Sequence, residues 1–190
     1  MKKGQNASEN SENLPKQFVL VIPNIRSAHN VGSLFRTADG AGVSKVYLCG
    51  YTPRLLDRFG RLGKPQKEIA KTALGAELVI PNEYFETLSE AVANLKEKGF
   101  VIIGLEQSEK AIKLGSILNA VSDDNAFKKL IKNSPAIALV VGEEVSGMTA
   151  EDVLLMDHLI ELPMRGKKES LNVSVAGGIA MYAIANEIAV

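Results

Sequence analysis

QFVLVIPNIRSAHNVGSLFRTADGA, residues 17–41, begins with an unbroken apolar run and continues into a helical pattern. The run Phe18–Ile22 lacks the alternation of apolar and polar residues that marks a strand with one face in water. Continuous runs of this kind are typical of strands buried on both faces of a parallel sheet. The residues beyond Pro23 predict a helix over about 30–41, with Asn30 as its N-cap.

The same succession of strand and helix recurs along the chain. Short runs rich in Val and Ile predict further strands at 45–49, 78–80, 100–105, 136–141 and 158–162. Helical spacing of apolar residues predicts helices over about 65–74, 84–98, 123–132, 149–156 and 172–189. The alternation favours an α/β fold with a doubly wound parallel sheet flanked by helices. We expect residues 17–190 to form one domain and the polar residues 1–16 to be a disordered tail.

Charge is unevenly distributed along this chain of 190 residues, although its 22 basic and 22 acidic side chains balance. Residues 1–75 carry twelve basic and five acidic side chains, whereas residues 76–164 carry seven and fifteen. Because salt screens charges over about 8 Å under physiological conditions, a local basic patch keeps its field. Zero net charge therefore does not exclude a nucleic-acid partner.

The composition excludes several classes of protein. Cys49 is the single cysteine, so an intrachain disulfide and a zinc site with paired cysteines are excluded. The polar N-terminus lacks the apolar core of a signal peptide, and no uncharged apolar run reaches the roughly 18 residues of a membrane span. Neither His29 nor His158 has a ligand-like neighbour. We expect a cytoplasmic protein without a membrane segment or a metal ion.

Three predicted strands are followed by chemically unusual segments, and ligands gather at the carboxyl ends of strands in such sheets. In the first segment, Asn30 could cap the helix while Arg26 and Arg36 face an anion near its N-terminus. The alternative is an ordinary capped helix with a solvated arginine. No P-loop and no G-x-G-x-x-G pattern occurs anywhere in the chain, which disfavours phosphate cradling and dinucleotide binding.

The other two segments are a glycine-containing acidic loop and a basic loop. GEEVSGMT, residues 142–149, has two glycines that let the backbone approach a ligand, or it is an acidic turn in which Thr149 caps the next helix. LPMRGKKESLNVSVA, residues 162–176, leads into a helix, and Ser and Asn near a helix start are also common caps. The adjacent glycines 177 and 178 are costly within a helix, so we expect that helix to pack closely or to form a dimer contact.

Together the three segments resemble the signature motifs of the SpoU/TrmH-type RNA ribose 2′-O-methyltransferases, within the SPOUT superfamily. The matching patterns are Asn30-x-Gly32-x-x-x-Arg36-Thr37-Ala38, Gly142-x-Glu144-x-x-Gly147 and Leu162-Pro163-Met164-x-Gly166-x-x-x-Ser170-Leu171-Asn172-Val173-Ser174. They occur in the family's order and span nearly the whole predicted domain. One departure is Glu143, because the second motif often carries Asn there.

The resemblance implies a fold, a cofactor and an assembly. The family has an α/β fold with a C-terminal trefoil knot, in which S-adenosylmethionine binds, and its members act as homodimers. The residues that the resemblance places at the cofactor are Leu105, Gly142, Gly147, Ile160, Leu162, Met164 and Leu171. The small apolar helix over 172–189 suits a dimer interface.

The resemblance also implies how methyl transfer to a ribose 2′-hydroxyl is catalysed. The residues it assigns are Asn30, Arg36, Glu144, Ser170 and Asn172. Arginine has a pKa above about 12 and is effectively always charged, so we prefer Arg36 as an anion-binding fork over Arg36 as a base. The transfer needs no metal. Two alternatives stay open: a SPOUT enzyme that methylates a base, and an RNA-binding relative without catalysis.

RNA, either tRNA or rRNA, is the expected partner. The chain shows no additional RNA-binding domain, so we expect segment 51–75 and the tail to contact RNA. The basic residues that we expect to bind phosphate are Arg26, Arg54, Arg58, Arg61, Lys64, Arg165, Lys167 and Lys168. Tyr51 and Phe59 could stack on bases, although burial is the alternative for both.

Overall fold

A single parallel sheet forms the centre of the molecule in the computed structural model, which describes residues 16–56, 59–114, 125–143 and 147–189. Within these residues the strands are β1 (Gln17–Pro23), β2 (Lys45–Cys49), β3 (Asn82–Phe85), β4 (Phe100–Leu105), β5 (Ile112–Lys113), β6 (Ala136–Val141) and β7 (His158–Glu161). The sheet order is β3-β2-β1-β6-β4-β7-β5, and all pairings are parallel. The central strands are the continuous apolar runs, because both of their faces are covered.

Helices cover both faces of the sheet. They are α1 (Ala28–Gly40), α2 (Lys64–Ala73), α3 (Ala76–Val79), α4 (Leu88–Glu97), α5 (Asn125–Asn133), α6 (Ala150–Leu155) and α7 (Val173–Ile188). The apolar layer on one face takes side chains from α1, α2, α3, α5 and α7. The layer on the other face takes them from α4 and α6. The predicted parallel sheet flanked by helices is confirmed.

The two glycines of α7 mark its close approach to α1. A Cβ atom on Gly177 would lie 2.8 Å from Cδ2 of Leu34, and one on Gly178 would lie 3.3 Å from Cγ2 of Thr37. Close packing therefore offsets the helix-propensity cost of two glycines, as the sequence led us to expect.

Several details of the sequence prediction are wrong. The predicted helix 84–98 begins too early, because Tyr84 and Phe85 belong to β3 and α4 starts only at Leu88. Leu78 and Val79 of the predicted strand 78–80 belong to α3, where Leu78 is 85% exposed, and Ile80 is the C-cap of this helix. The edge strand β3 follows it. Asn30 is not the N-cap of α1, because the helix begins at Ala28 and the Ser27 hydroxyl accepts the hydrogen bond from the Asn30 N–H group. Arg36 consequently lies in the third turn of α1, well beyond the end at which we expected it to face an anion.

The insertion of β7 between β4 and β5 shapes the carboxyl edge of the sheet. Strands β4 and β5 follow each other in the chain, but β7 pairs with both of them. Residues 106–111, which connect β4 to β5, therefore cross the carboxyl end of β7. None of the helices in the described parts of the chain has the length and apolar character needed to cross a membrane.

Candidate active site

A cavity of about 300 Å³ opens at the carboxyl ends of β4, β6 and β7, which are close together in the sheet. The segments that follow these strands converge on it, as expected for ligand sites in parallel sheets. The lining residues are Leu105, Glu106, Gln107, Gly142, Glu143, Gly147, Glu161, Leu162, Met164, Glu169, Ser170, Leu171, Val173 and Ala176. Segments that are far apart in sequence thus form one concave surface.

Most residues assigned to the cofactor by resemblance line this cavity. They are Leu105, Gly142, Gly147, Leu162, Met164 and Leu171. Ile160 is fully buried behind the cavity, and its carbonyl oxygen accepts a hydrogen bond from the Glu106 N–H group at 3.0 Å. Ser170, which the resemblance assigns to catalysis, also lines the cavity.

Glu106 holds the second-motif loop in place. Its Oε2 atom accepts a hydrogen bond from the N–H group of Met148 at 2.6 Å, and its Oε1 atom accepts one from Gln107 at 2.9 Å. Gly147 has a φ angle of +68°, and a Cβ atom there would lie 2.4 Å from the Glu106 carboxylate. The glycine therefore makes room for the carboxylate that anchors its own loop.

The cavity combines an apolar part with acidic groups. Leu105, Leu162 and Met164 lie on its wall together with the acidic residues Glu106, Glu143, Glu161 and Glu169. Glu161 accepts a hydrogen bond from the Ser108 N–H group at 3.1 Å and lies 3.5 Å from the Lys113 ammonium group. A ligand with an apolar ring, hydrogen-bond donors and a positive charge would suit this surface, because like charges would repel an isolated phosphate.

The sequence motifs did not reveal the acidic residues Glu106, Glu161 and Glu169. Glu106 directly follows β4, and Glu161 is the last residue of β7. Their place at strand ends was the available signal, because ligands in such sheets bind there. Among the described residues, no group of three or more His, Cys, Asp or Glu side chains is arranged to hold a metal ion.

The first and third motifs meet through two asparagines. Asn172 caps α7: its Oδ1 atom accepts hydrogen bonds from the Ser174 N–H group at 2.9 Å and the Ser174 hydroxyl at 2.7 Å. This orients the Nδ2 group of Asn172 towards Asn30, whose Oδ1 atom accepts its hydrogen bond at 3.2 Å. The pair lies beside the cavity wall formed by Ser170 and Leu171. Glu144, the carboxylate assigned to the second motif, lies outside the described residues.

Arg36 does not line the cavity. It is exposed on α1 and belongs to a separate cleft formed by Ser33, Arg36, Thr37, Lys71, Thr72 and Tyr182. Lys71 in this cleft donates a hydrogen bond to Glu68 at 2.7 Å, which lowers the pKa of that carboxyl group. Glu68 also contacts Nε2 of His29 at 2.9 Å. The structure thus brings Asn30, Ser170 and Asn172 near the cavity but leaves the arginine of the first motif apart.

The residues expected to bind RNA have different surroundings. Arg26, Arg61, Lys64, Arg165, Lys167 and Lys168 are exposed. Arg54 is half-buried: its guanidinium carbon lies 3.4 Å from the centroid of the Tyr84 ring, and it donates a hydrogen bond to Glu86 at 2.8 Å. Arg58 lies outside the described residues. Arg54 is therefore held by a cation–π contact with Tyr84 and an ion pair with Glu86.

Glu143 connects the cavity to the segment after β2. Its Oε2 atom accepts a hydrogen bond from the Tyr51 hydroxyl at 2.7 Å, and this bond raises the pKa of Tyr51. The guanidinium group of Arg26 lies 5.2 Å from the centroid of the Tyr51 ring and opposes the shift. The residue that departs from the family motif thus has a defined partner.

Known proteins resemble this chain over most of its length. The 23S rRNA (guanosine-2′-O-)-methyltransferase RlmB of Pectobacterium atrosepticum is 32% identical over 187 residues, which cover 96% of this chain and 67% of that protein. The tRNA (guanosine(18)-2′-O)-methyltransferase of Escherichia coli is 28% identical over 165 residues, covering 87% of this chain and 61% of that protein. The chain thus spans about two thirds or less of the length of these relatives.

Solved structures share the fold. The AdoMet-bound rRNA methyltransferase from Sinorhizobium meliloti matches with a TM-score of 0.71 and 20% identity, over 91% of this chain and 57% of that chain. The A. aeolicus TrmH/SpoU tRNA modifying enzyme matches with a TM-score of 0.69 and 24% identity, over 90% of this chain and 75% of that chain.

The family model of the SpoU rRNA Methylase family matches residues 17–182. This range contains the whole sheet and all three motifs, and the resemblance seen in the sequence is therefore confirmed. The chain belongs to the SpoU rRNA methylase family.

Proposed function

We propose that the protein transfers a methyl group from S-adenosylmethionine to a ribose 2′-hydroxyl of tRNA or rRNA. The observation that carries the proposal is the cavity at the ends of β4, β6 and β7, because second- and third-motif residues line it together. Relatives named as guanosine 2′-O-methyltransferases of rRNA and tRNA support this reaction. We also propose that the protein acts in the cytoplasm, where bacterial tRNA and rRNA are made and used.

The lining of the cavity fits the proposed cofactor. Leu105, Leu162 and Met164 offer an apolar surface for an adenine ring, and Glu106 lies at the same cavity with a carboxylate that can accept hydrogen bonds from ribose hydroxyls. The several carboxylates favour a cation over a neutral ligand. When bound, the cofactor supplies an electrophilic methyl group on a positively charged sulfur. A solved relative described as AdoMet-bound has the same fold.

The residues of the chain then bind and orient the RNA. The Asn30–Asn172 pair and Ser170 lie where they can position a ribose beside the cavity. A ribose hydroxyl is a weak nucleophile whose oxygen gains negative charge during transfer. A guanidinium group can stabilise that oxygen and grip the neighbouring phosphate without taking up a proton. We assign this role to Arg36.

The separation of Arg36 from the cavity supports a homodimer. In a dimer, Arg36 of one subunit could reach the cavity of the other. A stripe of apolar side chains on α7, Val175, Ile179 and Tyr182, is 41–50% exposed. Tyr182 also lines the cleft that contains Arg36. Burying this stripe between two subunits would place that cleft beside the interface, so we propose α7 as part of the dimer contact.

We further propose that the carboxyl-terminal part of the chain forms a trefoil knot. The crossing of residues 106–111 over the end of β7 supports it: the Ser108 N–H group donates to the Glu161 carboxylate, and the Leu114 N–H group donates to the Glu161 carbonyl oxygen. The chain leaving β7 at Leu162 must pass this crossing on one side before it reaches α7. We also propose that residues 17–190 act as one domain. Residues 1–15 of the expected tail 1–16 lie outside the described residues, and Lys16 donates hydrogen bonds to the carbonyl oxygens of Ile131 and Lys132.

The proposed function is tested in two steps. Titration calorimetry measures binding of S-adenosylmethionine to the purified protein. RNA from cells that lack the protein is then incubated with it and with labelled cofactor, and nuclease mapping locates the label. Label on a ribose 2′-oxygen is the expected result. Label on a base would instead establish a base methyltransferase, and RNA binding without transfer would establish a non-catalytic relative.

A further inference from the structure

Tyr51 is held rigidly although its ring faces solvent. The next residue, Thr52, is buried and bridges two loops: its hydroxyl donates to the Ile22 carbonyl oxygen at 2.8 Å and accepts from the Ile25 N–H group at 3.0 Å. The Tyr51 N–H group donates to the Oδ1 atom of Asn24 at 3.4 Å. The backbone that carries the tyrosine is therefore fixed to the segment after β1.

The phenol group of Tyr51 is fixed as well. Its hydroxyl donates to Glu143, and the backbone of Glu143 pairs with Gly147 in an isolated bridge. Both of these residues line the cavity. The hydroxyl of Tyr51 therefore contacts a residue that lines the cavity, while 48% of Tyr51 remains exposed.

The Tyr51 side chain is thus held both at its backbone and at its hydroxyl, while its ring is exposed. Such a ring suits stacking, because the side chain has little conformational entropy left to lose on binding. Resting on the proposed function, we propose that Tyr51 is the surface on which a base of the bound RNA stacks at the mouth of the cavity. Glu143 holds the ring in position, and the guanidinium group of Arg26 lies over the ring, 5.2 Å from its centroid. Base–aromatic stacking tolerates different bases, so this site places the nucleotide without reading its sequence.

The surroundings favour a nucleic acid over a protein as the occupant. Arg26, Lys167 and Lys168 are exposed on segments that follow β1 and β7, and phosphate contacts in RNA complexes come from such residues. Neither Tyr51 nor Phe59, the other exposed aromatic residue of segment 51–75, lines the cavity, and each has an arginine over its ring. The Tyr51 hydroxyl, however, donates a hydrogen bond to Glu143, which does line the cavity. The structure therefore favours Tyr51 over Phe59 as the stacking residue at the cavity, whereas the sequence did not distinguish between them.

Fluorescence of 2-aminopurine in a short single-stranded RNA tests the stacking directly, since stacking on an aromatic ring quenches this base. The wild type and Tyr51→Phe are expected to quench it, because both keep the ring. Tyr51→Leu is expected to lose the quenching and to bind the RNA about tenfold or more weakly. Calorimetry with S-adenosylmethionine is expected to give the same affinity for all three proteins. Phe59→Leu is the matched control and should quench like the wild type.

The role of Glu143 is tested by combining variants. Glu143→Ala and Tyr51→Phe each remove the same hydrogen bond, so the double variant should raise the KM for RNA no more than either single variant.

Quenching that survives in Tyr51→Leu, or that is lost in Phe59→Leu, would overturn the proposal. A change in self-association of Tyr51→Leu with unchanged quenching would assign the ring to a protein contact instead. Absence of methyl transfer by the wild type would refute the proposed function alone, because the fluorescence measurement does not depend on transfer.

Discussion

The hydrogen bond between Asn30 and Asn172 joins residues that are 142 positions apart in sequence. Its geometry is set by α7, because the oxygen atom of Asn172 is occupied by Ser174 and the amide nitrogen is left to face Asn30. The same side chain thus begins a helix and links two motifs. Within the part of the chain that the structure describes, Arg36 has no such link to the cavity, so its contribution can be tested separately from cofactor binding.

Replacing Arg36 by alanine should leave cofactor binding intact and abolish most of the methyl transfer. Removing a group that stabilises developing charge lowers kcat by about 100- to 1,000-fold. Arg36→Lys should restore little activity, because an ammonium group lacks the planar fork that binds an anion through two parallel hydrogen bonds. Calorimetry and single-turnover transfer measure the two effects. Normal turnover by Arg36→Ala would exclude the assigned role.

Gly147→Ala should destabilise the protein more than Gly42→Ala does. Both glycines have positive φ angles, +68° and +73°, but a Cβ atom on Gly42 meets nothing within 4 Å. The Gly42 variant therefore measures backbone strain alone, which costs about 1 kcal/mol. The Gly147 variant adds a collision with the Glu106 carboxylate. Urea denaturation compares the two variants, and equal losses of stability would show that the carboxylate moves aside freely. The Gly147 variant should also bind S-adenosylmethionine more weakly.

Cys49 should make the free energy of unfolding fall at alkaline pH. Burial raises the pKa of its thiol from 9.0 to about 12, with a smaller contribution from Glu90. Above pH 9 the unfolded chain therefore loses this proton while the folded protein keeps it, so the contribution to stability falls as the pH rises. The slope approaches about 1.4 kcal/mol per pH unit for one group. Urea denaturation of the wild type and Cys49→Ala between pH 8 and 11 isolates it: the difference between the two should shrink or reverse with pH, and a constant difference would contradict the prediction.

At the scale of secondary-structure elements, the buried strands could be predicted from the sequence, whereas the strands at the two edges of the sheet could not. The central strands β1, β4 and β6 are apolar on both faces, so their position follows from hydrophobicity alone. Edge strand β3, Asn-Glu-Tyr-Phe, is only partly buried and has no such run. We predicted a strand at the apolar residues 78–80 instead. Gly75, with a φ angle of +97°, is the N-cap of α3, the helical turn that contains the first two of these residues. Strand β5 has two residues, too few for any periodic signal.

The exposed stripe on α7 should control self-association. Ile179→Glu would place a charge in the centre of the proposed dimer contact, where desolvation without a partner costs about 3 kcal/mol, or about 100-fold in Kd. Light scattering should therefore show a dimer for the wild type and a monomer for the variant. Leu154→Glu is the control, because Leu154 is 84% exposed on α6, on the other face of the sheet. A wild type that is monomeric, or a variant that remains dimeric, would refute the role given to α7.

At the scale of the whole molecule, the cavity could be predicted only in part. The motifs identified Gly142, Leu162 and Leu171 because their residue types recur at fixed spacings in the family. Glu106 and Glu161 lie outside the motifs and meet at the cavity only because β7 pairs beside β4. Strand order is set by long-range pairing, which periodicity does not encode, and a threaded connection of the kind that we propose is rare enough that topology rules exclude it by default.

The proposed threading of the chain past residues 106–111 can be tested by mechanical unfolding. Pulling on residues 17 and 189 should release less chain than a fully extended polypeptide of that length, at about 3.3–3.6 Å per residue, because a tightened knot retains some residues. Pulling on residues 17 and 113 should release the full length, since the segment after β5 can then slip out of its loop. Comparing the lengths released in the two experiments distinguishes a knot from residual structure that resists the applied force. A full contour length between residues 17 and 189 would show that the chain is not knotted and that β7 enters the sheet without threading.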